Sequence, residues 1–304
     1  ATASPKATPS NSPSPTDRIF TILSSSKRDD TLGPPMRSLL LLPAILLSVA
    51  TFSTPAQAAD CDALAHLALP DTTIVTAEPV TGGTFTPPYG APLKELPAFC
   101  RVSGILRPTS DSVIRFEVWM PEQGWNHRFL GAGNGGFAGS IYYGQLGDNL
   151  KSGFATAGTD TGHQGDAQDA SWAYKHPEKI VDFGYRALHL TTERAKTIIA
   201  SFYGDPPTKS YFSSCSDGGR EALMEAQRFP DDYDGILAGA PANNWTKMLA
   251  ASVDATKVFV GDPAAYISSL KLPASTAAVL AQCDAQDGLK DGILNDPRAC
   301  HFDP

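Results

Sequence analysis

The chain has 304 residues, with 24 Lys and Arg against 32 Asp and Glu and a net charge of −8. An acidic chain without a basic cluster lacks the electrostatic footprint of nucleic-acid binding or of attachment to anionic membranes. Its length suits one α/β domain with part of a second, and its five cysteines permit disulfides while leaving one thiol over.

Residues 1–35 are rich in Ser, Thr and Pro and lack an apolar period, so they are expected to be a disordered upstream extension. Met36-Arg37 then precedes LLLLPAILLSVA, and Ala56-Gln57-Ala58 follows. A short basic start, a short apolar core and an A-x-A site predict a signal peptide over 36–59, cleaved near Ala58/Ala59, and a secreted or periplasmic product. The apolar run 39–50 is too short to span a bilayer and contains Pro43. Removing residues 1–59 takes away five basic and three acidic side chains, which makes the remainder more acidic still.

From 61 to 107 the pattern is loops and short strands, which Cys61 and Cys100 could staple together. Alternation predicts a strand over 113–119, and RFLG predicts another over 128–131. The second opens into a glycine-rich loop, AGNGGFAG, whose exposed N–H groups suit one half of an oxyanion hole; no Gly-Lys-Ser/Thr follows to make it a phosphate loop. A short strand over 154–158 leads into Thr159-Asp160-Thr161-Gly162-His163. An acid and an imidazole there could serve a metal or a triad, but on a turn such residues more often fix the turn itself. Apolar residues at helical spacing predict a helix over 182–203, ended by Gly204 and Pro206-Pro207.

Next, a strand stops at Ser213–Cys215, Ser216 follows, and Asp217-Gly218-Gly219 opens a helix. Strand, sharp turn and helix with a serine on the turn is the layout of a nucleophile elbow, although Ser214 stands where G-x-S-x-G has its first glycine. A further strand is predicted over 235–240. Alternating strands and helices imply a mostly parallel sheet with crossover helices, and ligands bind at the carboxyl ends of such strands. Beyond Pro241 two helices, 243–260 and 268–282, follow with no strand between them, which suggests the start of an inserted lid. The loop CDAQDGLKDGI carries three carboxylates and two glycines, with Cys283 at its start and Cys300 shortly after. It reads either as a site for a hard cation, calcium above all, or as a plain acidic turn held shut by cysteines.

The runs CSDGGREALMEAQRFPDDYDGILAGAPA, WNHRFLGAGNGGFAG, ATAGTDTGH, HPEKIVDFGYRALH and CDAQDGLKDGILNDPRACHFDP together resemble the tannase and fungal-type feruloyl esterase family, which also contains the mono(2-hydroxyethyl) terephthalate hydrolase. The resemblance runs from Cys61 to Pro304. It implies an α/β-hydrolase fold: an incomplete core over 60–245 and the beginning of a lid domain over 246–304. It implies a serine esterase in which Ser216 is the nucleophile and the backbone N–H groups of Asp217 and Gly135 form the oxyanion hole. It implies a structural Ca2+ held by the side chains of Asp284, Asp287 and Asp291 and the carbonyls of Leu289 and Ile293. Disulfides Cys61–Cys100 and Cys283–Cys300 are implied too.

In the family the triad Asp and His follow the lid, and the cysteine before the nucleophile pairs with one after that His. Cys215 is therefore expected to be unpaired here, and the chain to be an N-terminal portion of a member. Two functions follow. One is a secreted carboxylic-ester hydrolase acting on small aromatic esters, feruloyl or galloyl, possibly attached to plant polysaccharide or tannin. The other is a catalytically inactive, calcium-stabilised fragment or binding module, because neither His301 nor the Asp160–His163 turn offers Ser216 a convincing base.

Overall fold

A computed structural model describes residues 60–303. The extension and signal peptide expected over 1–59 lie outside the described residues. A seven-stranded sheet runs in the order β1-β4-β5-β7-β6-β8-β9. Its strands are β1 (Thr72–Val80), β4 (Phe99–Leu106), β5 (Ile114–Pro121), β6 (Arg128–Ala132), β7 (Ala155–Thr159), β8 (Lys209–Cys215) and β9 (Gly235–Gly239). A two-stranded ribbon, β2 (Gly83–Phe85) with β3 (Leu93–Leu96), lies outside it. The pairs β7–β6, β6–β8 and β8–β9 are parallel, and β1–β4, β4–β5 and β5–β7 antiparallel. Five strands thus point one way, with β1 and β5 opposed, in keeping with the mostly parallel sheet expected.

Helices carry the parallel crossovers: α1 (Tyr143–Lys151) between β6 and β7, α3 (Ala187–Tyr203) between β7 and β8, and α4 (Asp217–Arg228) between β8 and β9. The period-2 pattern of β5 divides its side chains between two cores. Phe116, Val118 and Met120 join Ala187, Leu188, Ala195, Ile198, Ile199, Phe202 and Ala222 of α3 and α4. Trp119 joins Tyr143, Leu146 and Leu150 of α1. On the α1 side the buried Glu117 accepts from Arg101 at 2.9 and 2.6 Å, from Trp119 Nε1 at 2.7 Å and from the Tyr143 hydroxyl at 2.8 Å. The charge is therefore paired and hydrogen-bonded, the condition on which a buried carboxylate is tolerated.

The helix predicted over 182–203 begins earlier and is not uniform. A short α2 (Pro177–Val181) runs into a π-helical turn, Asp182–Arg186, before α3. Gly204, at φ 80°, closes α3 in the left-handed conformation that a C-terminal glycine accepts without steric cost. Beyond β9, α5 (Trp245–Gly261) and α6 (Leu272–Cys283) appear as predicted, with no strand between them. No helix among the described residues is long and apolar enough to cross a membrane.

Candidate active site

Ser216 sits between the end of β8 and the start of α4 with φ 63° and ψ −117°. A non-glycine residue rarely adopts this backbone conformation, which costs about 1–3 kcal/mol and persists where its surroundings over-determine it. Those surroundings are explicit. The Ser216 N–H donates to the Gly239 carbonyl (3.0 Å), while its own carbonyl accepts from Arg220 N–H (3.2 Å) and Ala242 N–H (2.9 Å). The turn is also packed too closely for side chains. A Cβ on Gly218 would stand 2.0 Å from Ser214 Oγ and 2.4 Å from Ser214 Cβ, and one on Gly219 would stand 2.4 Å from the Gly239 carbonyl. The broken G-x-S-x-G thus keeps its geometry because Gly218 leaves the room that Ser214 fills.

Ser216 is exposed, on the rim formed by the carboxyl ends of β6, β7 and β8. It lines a cavity of about 460 Å³ together with Gly133, Asn134, Gly135, Tyr142, Gln145, Cys215 and Leu237. The glycine-rich loop therefore meets the serine, as the sequence predicted. A Cβ on Gly135 would stand 2.5 Å from Tyr142 Oη, so that exposed tyrosine would have to shift to admit one. Asp217 opens α4, so its N–H has no acceptor within the helix. Its carboxylate is buried and paired with Arg220 (Nε–Oδ1 2.5 Å), whose guanidinium also donates to the carbonyls of Phe183 and Gly184 in the π turn, both at 3.2 Å. Burial raises the Asp217 carboxyl above the usual range and Arg220 opposes the rise.

Three residues beneath this turn went unnoticed in the sequence. Asn134 donates its side-chain amide to the Ser140 and Thr159 carbonyls (2.9 and 3.0 Å), and its carbonyl accepts from Gly218 N–H (2.8 Å). Glu221 accepts from the Asn134 N–H at 3.0 Å. Glu225, one turn further along α4, is fully buried with neither oxygen hydrogen-bonded. Burial pushes Glu221 up to about 8 and Glu225 up to about 9, with Asp217 and Asp232 adding negative charge nearby. The available signal was the spacing 218-221-222-225, one helical stripe shared by a glycine, an alanine and two glutamates.

Asp160 takes the local role favoured for it, whereas neither ring nitrogen of the buried His163 is hydrogen-bonded. Asp160 Oδ1 accepts from Arg115 N–H and Gly162 N–H, both at 2.9 Å, and fixes the turn after β7. His163 is buried and stacked 3.9 Å from Trp172, and desolvation lowers it to about 4. Two His–Asp pairs escaped the sequence reading. His189–Asp232 (2.6 Å) lies at the amino end of β9, the rim opposite Ser216; His176–Asp111 (2.9 Å) lies near the start of β5. The strand β5 is three positions from β8, roughly 14 Å at the usual strand spacing. His301 is exposed, its carbonyl bonded to Gln282.

Both predicted disulfides, Cys61–Cys100 and Cys283–Cys300, are formed, and Cys215 is free and exposed. In the acidic loop, Asp284 Oδ1 accepts from Gly292 N–H (2.9 Å) and Asp291 Oδ1 from Ile293 N–H (3.0 Å). Asp287 accepts from Leu289 N–H (3.0 Å) and Asn295 N–H (3.3 Å). Among the described residues no three His, Cys, Asp or Glu side chains gather as a metal site.

Residues 100–304 match the family described as tannase and feruloyl esterase. The chain belongs to that family. It is 48% identical over 265 residues to an uncharacterized esterase of Xanthomonas campestris pv. campestris, covering 87% of this chain and 46% of that protein. It is 39% identical over 211 residues to a probable feruloyl esterase B-2 of Aspergillus flavus, covering 67% of this chain and 39% of that protein. Among solved structures, feruloyl esterase B of Aspergillus oryzae superposes with a TM-score of 0.73 at 33% identity, covering 79% of this chain and 49% of that one. Tannin acyl hydrolase of Aspergillus niger gives 0.59 at 26%, covering 77% and 45%. The fold is that of the α/β-hydrolases, and the chain spans about half the length of these relatives or less.

Two outcomes follow. Gly218→Ala should destabilise the protein by about 1–3 kcal/mol, the usual cost of overpacking, and Ser214→Gly should relieve part of that loss in the double variant. Additive losses in chemical denaturation would contradict the packing argument. Separately, the folded protein holds on Glu225 a proton that the unfolded chain releases near the ordinary Glu value of 4.5. Stability should therefore fall as pH rises from about 4.5 to about 9. Glu225→Gln should flatten that decline; parallel melting profiles across this range would refute the assignment.

Proposed function

We propose that the protein is an exported serine esterase that cleaves esters of aromatic acids, with Ser216 as nucleophile. The strained Ser216 turn, facing a cavity shared with the glycine-rich loop in a chain of the tannase and feruloyl esterase family, carries this reading. Ser216 Oγ attacks the ester carbonyl, and the tetrahedral oxyanion is met by the N–H groups of Asp217 and Gly135 at the positive end of α4. The alcohol leaves, and water then releases the acyl-enzyme. None of the residues lining the cavity is a histidine; the base and its orienting acid are those that the family resemblance places after the lid. Feruloyl esters are the substrate class that the names of the feruloyl esterase relatives suggest, and galloyl esters are the class that the family resemblance adds. Two disulfides favour an oxidising compartment.

A second reading, binding without turnover by the stretch described here, is favoured by the same lack of an imidazole at the cavity. Turnover separates the two. The whole protein should hydrolyse methyl ferulate or methyl gallate and be labelled by a fluorophosphonate, and Ser216→Ala should abolish both. A folded protein inert towards aromatic esters would defeat the esterase reading.

Calcium is part of the proposal. The loop 284–293 offers hard oxygen donors, and the bonds within it leave one carboxylate oxygen each on Asp284 and Asp291 without an N–H partner. With the Asp287 side chain and the Leu289 and Ile293 carbonyls they would hold Ca2+, which would brace the loop closed by Cys283–Cys300. Chelation should then lower the melting temperature and Asp287→Ala should mimic it; a melting temperature indifferent to both would exclude the ion.

A further inference from the structure

We propose that Glu221 is a positioning residue for oxyanion stabilisation, its carboxyl holding the glycine-rich loop in register with the nucleophile turn. The inference rests on the reading of Ser216 as nucleophile with Gly135 and Asp217 as oxyanion donors.

The geometry is a closed circuit. Gly218 N–H, in the first turn of α4, donates to the Asn134 carbonyl at 2.8 Å. The N–H of the same Asn134 donates back to α4, to Glu221 Oε2, at 3.0 Å. Asn134 therefore has both main-chain groups fixed by the helix that carries the nucleophile, and Gly135 is the next residue. These two bonds constrain the position of the Gly135 N–H relative to Ser216, and the Asn134 side chain adds its bonds to the Ser140 and Thr159 carbonyls. Gly133 shows how tightly the carboxyl is built in: a Cβ there would stand 2.6 Å from Glu221 Oε2.

Stability alone does not account for this side chain. Glu221 is 1% exposed, and its Oε1 has no hydrogen-bond partner. Burying a carboxyl for one bond is unfavourable, and an apolar residue of similar volume would serve the core as well or better. What an apolar residue could not do is accept the Asn134 N–H. A misplacement near 1 Å of a group that acts in the transition state can cost about 100-fold in rate, so a small gain in register outweighs the burial cost.

The test uses the whole protein with methyl ferulate, a fluorophosphonate and an aryl boronic acid that mimics the tetrahedral state. Glu221→Met should lower kcat by about 10- to 100-fold, weaken boronate inhibition in parallel, and leave KM and the melting temperature near wild type. Glu221→Gln, which retains an acceptor, should recover most of the lost kcat. Should Glu221→Met fail to fold, Glu221→Asp, one methylene shorter, should show the same kcat loss. Wild-type kcat and boronate affinity in Glu221→Met, or equal impairment in Met and Gln variants, would overturn the inference. Failure of the nucleophile reading looks different: Ser216→Ala would then keep its activity and its fluorophosphonate labelling.

Discussion

The structure around this site depends on one backbone conformation, that of Ser216 at φ 63°. Strain there of about 1–3 kcal/mol is opposed by three main-chain hydrogen bonds made by Ser216 itself, each contributing roughly 0.5–1.5 kcal/mol net. The balance is close, so the packing beneath the turn decides it. A Cβ on Gly218 would meet the Ser214 side chain, one on Gly219 the Gly239 carbonyl, and one on Gly239 the Ser214 carbonyl. The sheet order brings this about: β8 lies between β6 and β9, so the loops following all three strands converge on the same turn.

A second layer of support comes from ionic and polar groups below the turn. Arg220 joins Asp217 to the Phe183 and Gly184 carbonyls. Those carbonyls lie in a π turn, where widening of the helix disturbs the regular ladder and leaves groups for an outside donor. The guanidinium also lies 4.3 Å from the centre of the Phe183 ring, an arrangement in which a cation gains from the ring face. A lysine would supply the charge without the planar fork that reaches two carbonyls and a carboxylate together. The Ser216 turn is thus tied to the element before α3 as well as to the glycine-rich loop.

The fold was legible in the sequence wherever the pattern was periodic or punctuated. The strands ending at Ala132 and Cys215, the Gly204 end of the helix between them, and the serine before Asp217-Gly218-Gly219 were all found within a residue or two. Both disulfides and the free Cys215 agreed as well. The Asp182–Arg186 π turn was not legible, because its apolar spacing differs from that of an α-helix by one residue over a single turn. Glu221 and Glu225 drew no notice in the sequence, since a charge on a helix ordinarily faces water. The His189–Asp232 and His176–Asp111 pairs join residues 43 and 65 positions apart, and no local pattern announces such contacts.

Those two pairs also show why residue type alone does not make a triad. Each is within hydrogen-bond distance, and a search for an imidazole and a carboxylate would return both. His189 is stacked 3.7 Å from Phe229 at the amino end of β9, so the length of a strand separates it from Ser216. The strand β9 has five residues, roughly 17 Å at 3.3 Å per residue, far beyond the reach of a proton transfer. His176 is on the correct rim but across three strands. The rim beside Ser216 is open, with Leu237 61% exposed and Cys215 exposed next to it.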